Sequence, residues 1–321
     1  MRVVFYSAST SAQANSTTRT TYQPFRADTW EEMSRLYPDC EFVVVGPLNG
    51  SYIFDVAEGE ICRRPEHVKY VLLESGISAE KTAELIAEQK PDVAVTIASG
   101  AVPFDWVPIK TALIAEELQK RGISTVANNT LVSVAAFDKW RSNIMFRSFV
   151  KAAKGIYIHH ELYIAEKKNK SISVNVYKEY VLYRNGEWFI IEINPRWSGM
   201  TTTTAAMEGR NPLAIFVDSI LGTDKNYSMK RNLKYALNFK MKARTQEELV
   251  RLYENPHVDY IMQLETTVTG MEKINYCEVV ISTDQGKEDI LNVLNELGEE
   301  FPGLVSDEVK TNAGTLIQKY E

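Results

Sequence analysis

Cysteine is scarce in this chain, and the three cysteines that it has lie far apart. Cys40, Cys62 and Cys277 are odd in number, and none of their spacings is typical of a metal-binding motif. Because paired cysteines are the usual sign of an oxidising compartment, this pattern favours a reducing, cytoplasmic location.

Long apolar runs are also absent. No stretch approaches the roughly 20 apolar residues that a membrane-spanning helix needs, and residues 1–8 lack the features of a signal peptide. We therefore expect neither a membrane protein nor a secreted one. The net charge of −6 gives no basic footprint for nucleic acid. With 45% hydrophobic and 24% charged residues over 321 positions, the chain is predicted to form two or three ordinary globular domains.

A glycine-rich phosphate-binding loop is missing after the first predicted strand. That strand, at residues 2–6, runs into a segment reaching Thr21 that is rich in Ser, Thr and Asn but has no glycine. The backbone there cannot approach a phosphate as it does in a dinucleotide fingerprint. We interpret the segment as a solvated loop, with a loop beside a ligand as the alternative.

Strands and helices alternate through the first part of the chain. Apolar runs at 41–46, 91–97 and 124–126 predict strands, and helical spacing predicts helices at 78–89, with Ser78 as N-cap, and at 110–120. Such alternation is typical of a parallel α/β sheet. We predict an α/β fold in three parts: an N-terminal parallel α/β domain at 1–126, a central region at 127–224, and an α+β region at 225–321.

The later regions show further helices and strands. Helices are predicted from residue 128 to 141, from 212 to 221 and from 288 to 297, and strands at 235–242, 258–264 and 277–282.

A hairpin carries the main candidate site. Residues 181–183 and 188–193 are apolar runs, and the dipeptide Asn185-Gly186 between them is a strong hairpin signal. Glu192 and Asn194 are two positions apart, so on a strand they face the same way. Carboxylate and amide oxygens are the ligands that Mg²⁺ takes. An ordinary edge hairpin is the alternative, but Arg196 and the Ser198-Gly199 turn favour a functional site.

Three segments, in this order, resemble the ATP-grasp superfamily, particularly carboxylate-amine ligases related to D-alanine–D-alanine ligase and biotin carboxylase. The first, KRGISTVANNTLVSVAAFDKWRSNIMF, looks like the family's lead-in to its nucleotide site. The second, NGEWFIIEINPRWSGMTTTT, is similar to its metal-binding strand and substrate loop. The third, YCEVVISTDQGKEDILNVL, resembles the closing segment of carboxylase-like members.

The resemblance implies a pre-ATP-grasp domain followed by an ATP-grasp domain with a mixed sheet. It also implies an ATP- and Mg²⁺-dependent ligase that joins a small-molecule carboxylate to an amine through an acyl phosphate, acting as a homodimer. The implied roles are nucleotide phosphate binding by Lys139, metal and ATP binding by Glu192, metal binding by Asn194 and Glu179, catalysis and substrate binding by Arg196, and substrate binding by Ser198 and Gly199.

One departure from the family pattern concerns the nucleotide lid. The family places a small subdomain with a second lysine and a glycine-rich loop before the metal-binding strand. Here only 55 positions separate Lys139 from Asn194, and no glycine-rich loop lies between them. The ATP-grasp region is therefore predicted to be reduced, with its lid missing or shortened. A non-catalytic binding or regulatory protein on a degenerate scaffold is the alternative function.

Overall fold

The structure is a computed structural model. It describes residues 1–8, 18–23, 27–47, 68–74, 76–97, 107–137, 144, 181–184, 187–190, 199–228, 232–242, 244–266 and 275–319. The chain forms two compact units, one made of Met1–Ala127 with Trp197–Glu321 and the other of Asn128–Arg196. The predicted three-domain division stays a prediction.

Eleven strands lie in the described ranges: β1 (Arg2–Tyr6), β2 (Thr18–Gln23), β3 (Glu41–Pro47), β4 (Lys69–Leu73), β5 (Val93–Thr96), β6 (Ser124–Val126), β7 (Val181–Arg184), β8 (Glu187–Ile190), β9 (Tyr235–Lys242), β10 (Val258–Thr266) and β11 (Asn275–Thr283). The helices described there are α1 (Ala27–Leu36), α2 (Ala79–Glu88), α3 (Val107–Lys120), α4 (Thr130–Phe137), α5 (Gly199–Glu208), α6 (Pro212–Leu221), α7 (Lys225–Ser228), α8 (Gln246–Glu254), α9 (Asp289–Glu300) and α10 (Asp307–Lys319). None of these helices combines the length and apolar character that crossing a bilayer requires.

The first sheet of the larger unit is parallel, as the alternation of strands and helices predicts. Its strand order is β4-β3-β1-β5-β6, and β1 pairs with both β3 and β5. Its three central strands, β3, β1 and β5, are short and largely apolar, as expected where helices cover both faces of a sheet. The order reverses between β1 and β5, so this is the switch point of the sheet.

Alternate residues of the first sheet serve two different cores. Val4 and Tyr6 of β1 point into a core formed with α2 and α3, to which Ile86 and Leu118 contribute. Val3 and Phe5 point the other way, into a core shared with α1, α5 and α6. This alternation is the period of two that a strand imposes.

The second sheet has the order β2-β10-β11-β9, and all its described pairings are antiparallel. One face packs on α8, α9 and α10 through an apolar core that includes Cys277, Val279 and Ile281. The opposite face contributes Tyr260 and Val280 to the core that contains Phe5. One apolar core therefore joins both sheets within the larger unit.

The prediction of a solvated loop as far as Thr21 is wrong for residues 18–21, which belong to strand β2. Residues 18–23 pair with β10, from Thr18 opposite Thr266 to Gln23 opposite Ile261. Thr and Tyr favour strands, and the pairing partner lies more than two hundred positions away in the chain. The rest of the predicted loop, at 9–17, lies outside the described residues.

The smaller unit contains α4 and the predicted hairpin. Strand β7 pairs antiparallel with β8, from Val181 opposite Ile190 to Arg184 opposite Glu187. This register leaves the two residues of the predicted Asn185-Gly186 turn between the strands. The hairpin is therefore confirmed, while residues 191–193 of its predicted second strand lie outside the described residues.

Candidate functional site

Most of the predicted site falls outside the part of the chain that the structure describes. The residues concerned are Lys139, Glu179, Glu192, Asn194, Arg196 and Ser198. Gly199 is described, and it is the first residue of α5. The ATP, metal and substrate roles predicted for these residues therefore stay predictions, and the geometry that follows concerns the elements that flank them.

Those flanking elements lie in different units. Strand β8 ends at Ile190, two positions before Glu192, and belongs to the smaller unit. Helix α5 begins at Gly199 and belongs to the larger unit. The predicted metal-binding strand and substrate loop therefore include the junction between Arg196 and Trp197, at which the chain passes from one unit to the other.

Helix α5 carries the four-threonine run and packs on the second sheet. Near its C-terminal end, the backbone N–H of Lys234 donates to the carbonyl oxygen of Met207 at 2.7 Å. Nearer its start, Asn238 Nδ2 donates to Thr203 Oγ1 at 3.3 Å. Position 234 lies beside position 207, and the later position 238 lies beside the earlier position 203. Helix α5 and strand β9 therefore run in opposite directions. The far end of β9 therefore lies toward Gly199.

The second sheet becomes polar along the same direction. Ala236 of β9 and Val280 of β11 belong to the apolar core. Asn238 pairs with Val280, and Lys240 pairs with Glu278. Residues that pair directly, and residues two apart on one strand, share a face of the sheet. The face under α5 thus changes from apolar at Ala236 to polar at Asn238 and charged at Lys240. Residues two apart on a strand lie roughly 6.6 Å apart along it.

Glu278 is the buried carboxylate on this face, with only 8% of the residue exposed to solvent. Its Oε1 accepts a hydrogen bond from Asn238 Nδ2 at 2.8 Å. Since Glu278 pairs with Lys240, it lies further than Asn238 toward the N-terminal end of α5. That end is where the predicted substrate loop joins the helix. Carboxylate, amide and hydroxyl groups here form a polar chain that links helix and sheet.

Sequence reasoning missed this polar chain. Its three members, Thr203, Asn238 and Glu278, are separated by 35 and 40 positions in sequence. A signal does exist, because Asn238 and Glu278 each interrupt an otherwise largely apolar strand. The sequence contains no sign, however, that the two interruptions meet, since that depends on the strand register.

The switch point of the first sheet is a second place at which ligands bind in open α/β folds. Buried Ser7 follows β1 directly, and α3 begins after the segment that follows β5. Lys110 lies in the first turn of α3 and is half-buried, and this burial lowers its pKa.

A surface depression lies at the opposite edge of the same sheet. It has a volume of about 460 Å³ and is lined by residues that include Met1, Arg2, Cys40 and Lys90. Arg2 already bonds to Glu41 Oε2 at 2.9 Å and to the carbonyl oxygen of Gln89 at 2.6 Å. Because ligands bind at the carboxyl ends of parallel strands and this depression is at the amino ends, it is not a candidate site.

Metal ligands are not brought together by the described elements. Within those ranges, no three His, Cys, Asp or Glu side chains lie close enough to share one ion. The predicted ligands Glu179, Glu192 and Asn194 are all outside those ranges. As oxygen donors, all three have the chemistry that suits Mg²⁺.

Family models and curated proteins were compared with this sequence. No protein-family model matches it, and no curated protein is significantly similar to it.

Solved structures do share its fold. A variant of pyruvate carboxylase from Rhizobium etli, crystallized without acetyl coenzyme A, matches 99% of this chain and 39% of its own length, at 10% identity and a TM-score of 0.51. This chain has the ATP-grasp fold. The predicted fold class is confirmed, with the addition that the described strands of its second sheet are all antiparallel.

Two further structures match at lower scores. The biotin carboxylase domain of a single-chain bacterial carboxylase covers 100% of both chains at 11% identity and a TM-score of 0.49. Glycinamide-RNase-transformylase T from Mycobacterium tuberculosis covers 89% of this chain and 95% of its own at 10% identity and a TM-score of 0.44. Both TM-scores lie below 0.5, so neither structure adds to the assignment of the fold.

Proposed function

We propose that this chain is an ATP- and Mg²⁺-dependent ligase that joins a small-molecule carboxylate to an amine. The observation that carries the proposal is the sequence Glu192-Ile193-Asn194-Pro195-Arg196 in a chain with the ATP-grasp fold. The described hairpin before this segment and helix α5 after it agree with the order of elements that the motif predicts.

The proposed reaction has two steps. An oxygen of the substrate carboxylate attacks the γ-phosphorus of ATP, the bond to the bridging oxygen breaks, and ADP leaves. The amine nitrogen then attacks the acyl carbon, the bond to the phosphate oxygen breaks, and the amine gives up a proton as phosphate departs. Positioning and charge neutralisation are the tasks of the protein in such phosphoryl transfer.

The residues proposed for these tasks fit them chemically. Glu192 and Asn194, with Glu179 as a further candidate, would hold Mg²⁺, which supplies positive charge beside the ATP phosphates. Lys139 would neutralise nucleotide phosphate. Arg196 would bind the acyl phosphate or a substrate carboxylate through its planar, bidentate donor group.

Calorimetric titration with Mg-ATP tests the proposal. We expect the wild-type protein to bind, and Glu192→Ala to bind at least tenfold more weakly because an oxygen ligand is lost. Glu187→Ala, in the same hairpin but outside the motif, is the matched control and keeps the wild-type affinity. If the wild-type protein does not bind Mg-ATP, or if the control loses as much affinity as Glu192→Ala, the proposal is wrong.

The shortened interval before the motif gives a second candidate, a regulatory protein that binds ATP without turnover. A survey of carboxylate and amine pairs for ADP release separates the two. Release that depends on both a carboxylate and an amine supports the ligase. Mg-ATP binding without release under any pair supports the regulatory protein. Sedimentation of the same samples tests the homodimer that we propose.

A further inference from the structure

Asn238 uses both of its N–H donors inside the larger unit. Its Nδ2 donates to Thr203 Oγ1 of α5 at 3.3 Å and to Glu278 Oε1 of β11 at 2.8 Å. A side-chain amide has two N–H donors on its nitrogen and an acceptor on its oxygen. Since both donors of Asn238 are used, the capacity that remains to this side chain is that of the acceptor Oδ1.

Glu278 also has acceptor capacity that its own chain does not use. The residue is only 8% exposed, and its Oε1 accepts from Asn238. Within the ranges that the structure describes, no group donates to Glu278 Oε2 or to Asn238 Oδ1, and no lysine or arginine forms an ion pair with Glu278. Burying a carboxylate is unfavourable unless it is paired and hydrogen-bonded. A positively charged donor would therefore be stabilised here.

The two groups lie at the open end of this face of the sheet. Toward Ala236 the face enters the apolar core. In the other direction Asn238 and Thr203 are partly exposed, and Lys240, which pairs with Glu278, is exposed. A small solute can therefore approach Glu278 from the side of Lys240, whereas the core closes the opposite side.

The donor that suits these oxygens is a primary ammonium group, which has one positive charge and three N–H donors. A divalent metal ion takes about six or more oxygen ligands, and no three His, Cys, Asp or Glu side chains converge within the described ranges. A guanidinium group binds a carboxylate best through both oxygens, but Oε1 of Glu278 is already held by Asn238.

We propose that Glu278 and Asn238 form a binding site for a primary ammonium group, which donates to Glu278 Oε2 and Asn238 Oδ1. The ligand is then a simple amine or an amino acid. An amino acid also carries a carboxylate, which Lys240 on the same face would attract. The proposal concerns binding alone, so it does not depend on the proposed function.

A titration of the isotope-labelled protein with ethylammonium chloride, followed by NMR, tests the site. We expect the side-chain amide signals of Asn238 to shift saturably, with a dissociation constant in the millimolar range. Tetramethylammonium has the same charge but no N–H donor, and at equal ionic strength it should bind about tenfold more weakly. Methylguanidinium should also bind more weakly than ethylammonium, because Oε1 is in use.

Two variants assign the binding to Glu278. Glu278→Gln keeps an oxygen that accepts from Asn238 but removes the charge, so it should weaken ethylammonium binding about tenfold. Glu299→Gln removes an exposed carboxylate on α9 and is the matched control, which should bind as the wild type does. Lys240→Met should leave ethylammonium binding intact, because Lys240 is not a ligand of the ammonium group.

A titration with glycine identifies the kind of ligand. If glycine binds more tightly than ethylammonium, and Lys240→Met removes that advantage, the site recognises amino acids. If glycine binds equally or more weakly, the site recognises simple amines. Both results support an ammonium site.

Several results would overturn the inference. Two concern the wild-type protein alone: no saturable shift with ethylammonium, or equal binding of tetramethylammonium. They decide the question even if Glu278→Gln does not fold. The others are wild-type affinity in a folded Glu278→Gln variant, or an equal loss of affinity in Glu299→Gln. Because no ATP is present in these titrations, a wild-type protein that failed to bind Mg-ATP would overturn the proposed function and leave this test unaffected.

Discussion

Asp218 shows how a single buried carboxylate organises the turn after α6. It is 3% exposed and accepts hydrogen bonds from Thr223 Oγ1 at 2.6 Å, from the backbone of Lys225 at 3.0 Å and from the backbone of Asn226 at 2.9 Å. Burial alone would raise the pKa of Asp218. The hydrogen bonds from Thr223, Asn226 and Lys225 outweigh burial and hold the pKa below its ordinary value of 3.8.

This arrangement makes stability depend on pH. Because the folded-state pKa is lower than the unfolded-state pKa, the ionised carboxylate stabilises the fold above the unfolded-state value, and this contribution is lost as the pH falls through the folded-state value. We expect Asp218→Asn to lower the free energy of unfolding by about 2 kcal/mol at pH 7, and by less at pH 3. Urea unfolding at both pH values measures the difference. Asp224→Asn, at an exposed neighbouring position, is the control and should change the free energy of unfolding little at either pH. An Asp218→Asn effect that is equal at both pH values would contradict the assignment of the pH dependence to Asp218.

At the scale of elements, the ends of helices are set by local backbone conformation. Helix α6 begins at the cap Asn211, whose side chain accepts from the backbone of Leu213 and Ala214, and it ends at Gly222 in the left-handed region with φ of 64°. A Cβ atom at Gly222 would meet no atom within 4 Å, so only the backbone conformation opposes a side chain there. Gly314, inside α10, also has open space around it but has ordinary helical geometry.

This pair of glycines predicts opposite outcomes for one substitution. Gly222→Ala should destabilise the protein by about 1 kcal/mol, because L-residues are disfavoured in the left-handed region. Gly314→Ala should stabilise it by up to about 1 kcal/mol, because alanine favours a helix interior over glycine. Thermal and urea unfolding of the two variants compare the signs directly. Two changes of the same sign would mean that packing, rather than backbone conformation, decides at these positions.

Local patterns predicted many elements of the fold. Strand β6 and helix α6 begin and end where the sequence indicates, and Ser78 accepts from the backbone of Lys81 as an N-cap should. Strand β2 was wrongly predicted as loop because its residues are polar and its pairing with β10 is formed across most of the chain. Propensity within a window contains no information about such a partner.

The candidate site likewise has one part that the sequence predicts and another that it does not. The metal and substrate residues from Glu192 to Gly199 are contiguous, so a linear motif and a resemblance predict them. Asn238 and Glu278 belong to different strands, and they meet only because β9 and β11 pair in one register. A shift of one residue would turn each of them to the opposite face, so their contact follows from tertiary structure.

At the scale of the whole molecule, the two faces of the second sheet pack into two different cores, so substitutions on the two faces should have different effects. Val280 belongs to the core that also contains Val3 and Phe5 of the first sheet. Its neighbour Val279 points to the opposite face, where the core is built from the second sheet and helices α8, α9 and α10. Both valines are fully buried, so they form a matched pair that differs mainly in which core it serves.

Substituting each valine by alanine tests whether the two sheets unfold together. Each change removes buried methyl groups and should cost about 2 kcal/mol. Val280→Ala should lower the free energy of opening, measured by native-state hydrogen exchange, for amides of β1 as much as for amides of β11. Val279→Ala should lower it for β11 and α9 more than for β1, because local unfolding follows contiguous packed groups. If Val280→Ala leaves β1 unaffected, the shared core does not couple the sheets. If Val279→Ala destabilises β1 equally, the larger unit unfolds as one cooperative body.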